Sequence, residues 1–280
     1  MHLTDVPAPA KLNLFLHITG RREDGYHLLQ SVFMLVDWHD SLHFEVRPDG
    51  ALTREDLGPA LPADDLCLRA ARVLQQAAGC KLGVHIAIDK RLPAQAGMGG
   101  GSSDAASCLL ALNRLWGLRL PLSRLEAIGL ALGADVPFFL RGRNAWVEGI
   151  GEQITPVDVP VGRFMVVKPP EGLDTAKIFS HPQLQRATNP AILSGFAADP
   201  FNFGRNDLQP IAQLLCPGVT QALEWLGSQG LAARMTGSGS AVFAHLPEGQ
   251  TPSNPPASMQ SRICSNMEVH PLVGWAASDN

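Results

Sequence analysis

Residues 97–103 read GMGGGSS: Gly97, Gly99, Gly100 and Gly101 fall within five positions and run into Ser102 and Ser103 ahead of an apolar stretch. A helix N-terminus carries unpaired N–H groups and about half a positive charge, and glycines let a ligand approach those groups with no Cβ in the way. Either a tight strand-to-helix turn capped by Ser102 or an anion site would use such residues; four glycines leading into a serine pair favour an anion, a phosphate group above all. Lys11 and Asn13 lie two apart in an alternating segment and so share one strand face, and a lysine among such apolar neighbours calls for a partner. Asp135, in GADVPFF, suits proton transfer or an Asx cap before Val136-Pro137, and spacing alone favours the cap. Gly237-Ser238-Gly239 forms a second glycine turn, ahead of an apolar strand. His39 and His43, in HDSLH, have no helical pattern and no cysteine cluster nearby, so a surface turn is expected there in place of a metal site.

The elements that must hold these residues follow from periodicity. Leu12, Leu14, Leu16 and Ile18 alternate with Lys11, Asn13, Phe15 and His17; after the polar turn GRREDGYH, LLQSVFMLVDW gives a second strand, so residues 11–38 should form an antiparallel pair. Asp64 and Asp65 open a helix closed by Gly79, and Val84, Ile86 and Ile88 form a strand that delivers the chain to the glycines. A helix is expected over Ala105–Trp116, and another from a capping box at Ser123 and Glu126 to Gly133. After residue 158 the pattern restarts: a strand at RFMVVK, helices near 174–180, 207–216 and 219–228, a strand from 241, and a loop over 247–260.

The 280 residues suit one or two domains, and with 45% apolar and 17% charged residues they can bury a large core. A net charge of −4 without any Lys/Arg run excludes a polyanion partner such as nucleic acid. No segment reads as a signal peptide or a membrane span, and five scattered cysteines indicate reduced thiols in a cytoplasmic protein. The glycine loop is not the Walker sequence G-x-x-x-x-G-K-S/T, since no lysine follows it, and Ser102 breaks the dinucleotide fingerprint. Protein-kinase landmarks are absent.

Three segments, PAPAKLNLFLHI, LPAQAGMGGGSSDAA and RMTGSGSAVFAHL, resemble the GHMP small-molecule kinases. PAPAKLNLFLHITGRREDGYH and LGADVPFFLRGRNAWVEGIGE resemble the branch of that superfamily acting on 4-diphosphocytidyl-2-C-methyl-D-erythritol. The resemblance implies an α+β fold of two domains, 1–158 and 159–280, with the active site in the cleft between them. It implies ATP as phosphoryl donor, Mg2+ with the nucleotide, and a small-molecule acceptor phosphorylated at its C2 hydroxyl, in a monomer or homodimer. By the same resemblance Lys11 and Asp135 are catalytic, Asn13, Tyr26, His27, Thr175 and Phe179 bind the acceptor, and Tyr26 and Phe179 sandwich its cytosine while His27 reads the base edge. Asp65, Lys90, Gly97, Gly99, Gly100, Gly101, Ser102, Ser103, Gly237, Ser238 and Gly239 fall to ATP. Three positions depart from the family pattern: Asp65 stands where asparagine is common, Gln95-Ala96 where glycine is common, and Asp104 reads as a helix cap. Another GHMP substrate, a silent nucleotide binder and a dinucleotide oxidoreductase are the competing readings.

Overall fold

The computed structural model describes residues 1–277. Strands β1 (His2–Arg21) and β2 (His27–Arg47) pair antiparallel, with Lys11 opposite Leu35 and Asn13 opposite Phe33. The expected alternation in β1 is only half the pattern, because Phe15 is as buried as Leu12, Leu14 and Ile18. The strand is covered on both faces, and a strand so placed loses its polar side. His39 and His43 lie within β2, not in the expected turn.

Strand β3 (Leu52–Asp56) leads to helix α1 (Leu66–Ala78), which starts and ends where the sequence says it should. The Asp65 carboxylate accepts from Leu68 N–H (3.1 Å) and Cys67 N–H (3.2 Å), and Gly79 closes the helix at φ 59°. Strand β4 (Gly83–Asp89) follows, with Val84, Ile86 and Ile88 all buried. Helix α2 (Gly100–Leu115) begins five residues before the expected Ala105. Glycine and serine are weak helix formers, but the Ser103 and Ser107 hydroxyls donate to the carbonyls of Pro9 (2.6 Å) and Pro7 (2.8 Å), and this docking on β1 outweighs propensity. Helix α3 (Leu122–Leu132) corrects the expected capping box: Pro121 is the N-cap, and Glu126 instead takes the Arg141 guanidinium at 2.8 Å.

Helix α4 (Val136–Arg141) and the hairpin β5 (Ala145–Glu148) and β6 (Gln153–Pro156) follow. Strand β7 (Arg163–Lys168) then precedes helices α5 (Thr175–Ser180), α6 (Leu193–Ala198), α7 (Gln209–Leu215) and α8 (Pro217–Ser228). Strands β8 (Ala233–Met235), β9 (Val242–Leu246) and β10 (Gln260–Met267) complete a ten-stranded sheet whose main path runs β3-β4-β2-β10-β7-β9-β8. Strand β10 thus lies between β2 and β7 and begins where the 247–260 loop ends, at a place for which the periodicity gives no strand.

Three buried apolar clusters hold the sheet and helices together. One packs α1–α4 on β2 and β4, a second packs α7 and α8 on β7 and β9, and a third joins Leu12, Leu14 and Phe15 of β1 to Phe164, Phe196 and Phe243. Each such large side chain contributes roughly 1.5–3 kcal/mol by leaving water. Residues 268–277 return to the first cluster, where Leu272 is buried and Trp275 packs with its ring 4.8 Å from the Arg114 guanidinium carbon. The five cysteines are free thiols.

Candidate active site

Three adjoining cavities cross the molecule, and the residues singled out by sequence line them. The middle one, about 620 Å³, is bordered by Lys11, Asn13, Asp135 and Gly237-Ser238-Gly239. A second, about 630 Å³, is bordered by Asp65, Lys90, Gly97 and Gly99–Ser102. It meets the first at Gln95, Gly97, Gly99 and Thr175. The third, about 680 Å³, holds Tyr26, His27 and Phe179 and meets the middle cavity at Leu29, Ala134, Ile150, Thr175 and Phe179.

At the centre, Lys11 is 3% exposed, and its ammonium lies 2.6 Å from Asn13 Oδ1, 3.6 Å from Asp135 Oδ2 and 4.4 Å from the centroid of the Phe33 ring. Burial lowers the Lys11 pKa from its ordinary range, and the Asp135 charge pulls it back up. Phe33 gives the cation an aromatic face, a role the sequence did not suggest. Asn13 is fixed in turn: Nδ2 donates to Ser31 Oγ (2.9 Å), and its backbone N–H donates to Thr236 Oγ1 (3.0 Å). Asp135 occupies the N-cap position of α4, but its side chain makes no capping bond and is 31% exposed, so the carboxylate is free to meet a ligand.

Both glycine turns dock on this strand. The Lys11 N–H donates to the Met98 carbonyl (3.0 Å), Ser240 N–H to Gln95 O (3.0 Å) and Ala241 N–H to Ala96 O (3.3 Å). Gly97, at φ 71°, passes so close to the second turn that a Cβ there would sit 2.2 Å from Thr236 O. Gly99, at φ 73°, has the Phe139 ring 2.9 Å from where its Cβ would be. Gln95, the departure from glycine, adopts the left-handed φ of 51° even so, and its side chain fills the place where Gly172 has none.

On the glycine side, the N–H groups in the first turn of α2 have no intrahelical acceptor. Ser102 Oγ is half-buried beside them, whereas Ser103, grouped with it by sequence, spends its hydroxyl on Pro9 and is fully buried. Lys90 is held between two buried carboxylates, Asp40 and Asp104, the latter at 2.6 Å. Asp104 is therefore not the expected cap: it sits inside the helix with Oδ1 unpartnered, and burial pushes its pKa up to about 7, with Lys90 opposing and Asp40 reinforcing. Asp65, the carboxylate that stands where asparagine is common, caps α1 and pairs with Arg54 at 2.9 Å.

In the third cavity the His27 and Phe179 rings lie with centroids 5.1 Å apart, and Tyr26 is 60% exposed at the mouth. Thr175 is the first residue of α5, with Asp174 as its cap, and its hydroxyl meets Ser238 Oγ at 2.7 Å across the cleft. Sequence reasoning missed Phe33, Ser31, Thr236, Asp40 and Arg186; only Thr236 had a signal, its place directly before the second glycine turn.

Family models for the GHMP kinases N terminal domain and the GHMP kinases C terminal match residues 65–143 and 191–266. The chain is 68% identical to a 4-diphosphocytidyl-2-C-methyl-D-erythritol kinase of Variovorax paradoxus, across 97% of this chain and 98% of that protein. Its identity to the protein of the same name from Albidiferax ferrireducens is 66%, across 99% and 96%. A crystal structure of 4-(cytidine 5'-diphospho)-2C-methyl-D-erythritol kinase aligns with TM-score 0.76 and 33% identity over 95% of this chain and 99% of that one. A mevalonate kinase structure, at 12% identity and TM-score 0.67 over 96% and 99%, shares the fold. Identity this high along nearly the whole of both chains, with the two family models matched in order, means that this chain belongs to the GHMP kinases, in the family of 4-diphosphocytidyl-2-C-methyl-D-erythritol kinases.

Proposed function

We propose that this enzyme transfers the γ-phosphoryl of ATP to the C2 hydroxyl of 4-diphosphocytidyl-2-C-methyl-D-erythritol, giving the 2-phosphate and ADP in the non-mevalonate route to isoprenoid precursors. The observation that carries this reading is the continuous run of three cavities: aromatic rings at one end, Lys11 with Asp135 in the middle, and the glycine-rich helix start at the other. A cytidine diphosphate ester of a short polyol needs that order of surfaces.

Phosphoryl transfer depends mainly on positioning and charge stabilisation. Tyr26 and Phe179 stack on the cytosine; stacking contributes roughly 1–3 kcal/mol per base and accepts any base, so hydrogen bonds at His27 must discriminate. Asn13 and Thr175 place the polyol. Asp135 accepts the proton of the attacking hydroxyl, and the Lys11 ammonium holds that carboxylate in place and faces the charge that develops on the transferred group. Gly97, Gly99, Gly100, Gly101 and Ser102, with Gly237-Ser238-Gly239 opposite, form the cradle for the nucleotide phosphates, while Lys90 and Asp65 border the same cavity. Mg2+, when bound with ATP, neutralises phosphate charge. Ser102 Oγ, beside the helix start that borders this cavity, is an oxygen donor the chain would offer it, and the phosphates would supply most of its other ligands.

The domain division at 158/159 belongs to this reading and falls in the segment between β6 and β7, which carries Pro160 and Gly162. No helix among the described residues is long and apolar enough to cross a membrane; free thiols support a cytoplasmic enzyme, acting as a monomer or homodimer. ADP release with MgATP tests the function. Turnover is expected with the cytidylylated substrate and not with methylerythritol phosphate, homoserine or mevalonate; turnover of another alcohol alone would refute the acceptor assignment.

A further inference from the structure

Behind His27 and Phe179 of the third cavity stands a side chain that neither the motifs nor the mechanism uses. Arg186 lies in the segment after α5, and its guanidinium donates through Nε to His27 Nε2 at 3.0 Å. Its remaining nitrogens are committed to backbone carbonyls: Nη2 to His181 O (2.8 Å) and Phe179 O (3.1 Å), and Nη1 to Leu184 O (3.1 Å). A guanidinium only donates, so the nitrogen it meets must be the acceptor of a neutral imidazole, and the ring proton must sit on the other nitrogen. His27 Nδ1 has no protein partner among the described residues, and the residue lines the cavity. Burial first, then the charges of Arg186 and Arg21, lower the His27 pKa and disfavour a second ring proton.

We propose that Arg186 is a positioning residue for base recognition: it fixes His27 as the Nδ1–H tautomer, so that the cavity presents a hydrogen-bond donor to an acceptor on the pyrimidine edge, and the same guanidinium pins the Phe179 carbonyl beside it. The proposal rests on the reading of this cavity as the base site. One fork thereby sets both what His27 can read and where the neighbouring aromatic ring stands. A lost or reversed Nδ1 hydrogen bond removes an interaction of about 1.4 kcal/mol, tenfold in affinity.

The test begins with 15N NMR of the His27 ring in the ligand-free protein. Wild type is expected to show Nδ1–H; Nε2–H there would overturn the proposal, and this arm needs no variant. Arg186→Met is expected to release the ring to Nε2–H and to raise KM for the cytidylylated substrate about tenfold, with KM for ATP within twofold of wild type. Arg186→Lys, which keeps a donor toward Nε2, is expected to hold the tautomer and recover most of that loss. Equal changes in both KM values, or an unchanged substrate KM in a folded Arg186→Met protein, would overturn it. If wild type fails to turn over this substrate, the functional reading and the recognition role fall together, while the NMR result still decides whether Arg186 locks His27.

Discussion

Replacing Asp135 by asparagine tests the centre of the site with little change of shape. The side chain caps nothing, so α4 should form as before, and Lys11 keeps Asn13 Oδ1 at 2.6 Å and the Phe33 ring at 4.4 Å. What disappears is a proton acceptor and one negative charge 3.6 Å from the ammonium. At that spacing an effective dielectric near 20 gives roughly 4 kcal/mol of attraction, and since the carboxylate is 31% exposed, solvent screening reduces the part felt as stability to about 1–2 kcal/mol. The kinetic loss should be larger: removal of a general base costs about 10²–10⁴ in rate, or roughly 3–5 kcal/mol in the barrier. Asp135 borders the middle cavity and not the glycine-lined one, so ATP affinity should hold within a few-fold. Single-turnover ADP formation at saturating substrate, with equilibrium binding of a non-hydrolysable ATP analogue alongside, separates the two effects. Wild-type turnover in Asp135→Asn, or a fall in nucleotide affinity as large as the fall in rate, would refute the assignment.

Three further outcomes are expected. Gly172→Ala should cost only about 1 kcal/mol, because its Cβ would crowd the exposed Gln95 side chain, which can turn into solvent, and the double variant with Gln95→Gly should recover that loss; additive effects in a urea double-mutant cycle would refute the coupling. His270 is buried with Nε2 unpartnered, and burial pushes its pKa down to about 4. The unfolded chain therefore binds a proton between about pH 6.5 and 4 that the fold refuses, and stability should fall by roughly 3 kcal/mol on acidification through that window; in His270→Asn, which keeps an acceptor for the Leu272 N–H, urea midpoints should lose that part of the slope. Asp104 has the opposite sign: with its pKa raised to about 7, the fold holds a proton the unfolded chain has released, so stability falls as pH rises from about 4 to 7, and Asp104→Asn should remove that component of the midpoint profile.

What was legible in the sequence was local. Asp65 and Gly79 marked both ends of α1 because caps use neighbours, and the shared face of Lys11 and Asn13 followed from a period of two, now seen as a 2.6 Å contact. The start of α2 was misread because its first turn is Gly-Gly-Ser-Ser, whose helicity is imposed by β1 through Ser103 and Ser107. Strand β10, QSRICSNM, carries no clean alternation, since Cys264 is the only one of its residues that is buried. At the site, the approach of Asp135 to Lys11 spans more than a hundred residues and was expected only from family resemblance. Arg186 had no signal at all, because what it does depends on a ring nitrogen brought to it by folding.

The place of β10 governs the order in which this protein can assemble during synthesis. Strand β2 and strand β7 leave the ribosome long before the segment that joins them, and Leu272, which completes the first apolar cluster, follows later still. Until residues 260–277 emerge, the nascent chain carries the buried stretch around Leu35 and Val36 without its closing partner and the edge of β7 unpaired, a surface that invites chaperones or a neighbouring chain. Closing so long a loop is slow relative to local helix formation. The catalytic cleft therefore becomes a lasting arrangement only once this segment has emerged, and a stop anywhere before Gln260 should give a product that is degraded rather than one that retains partial activity.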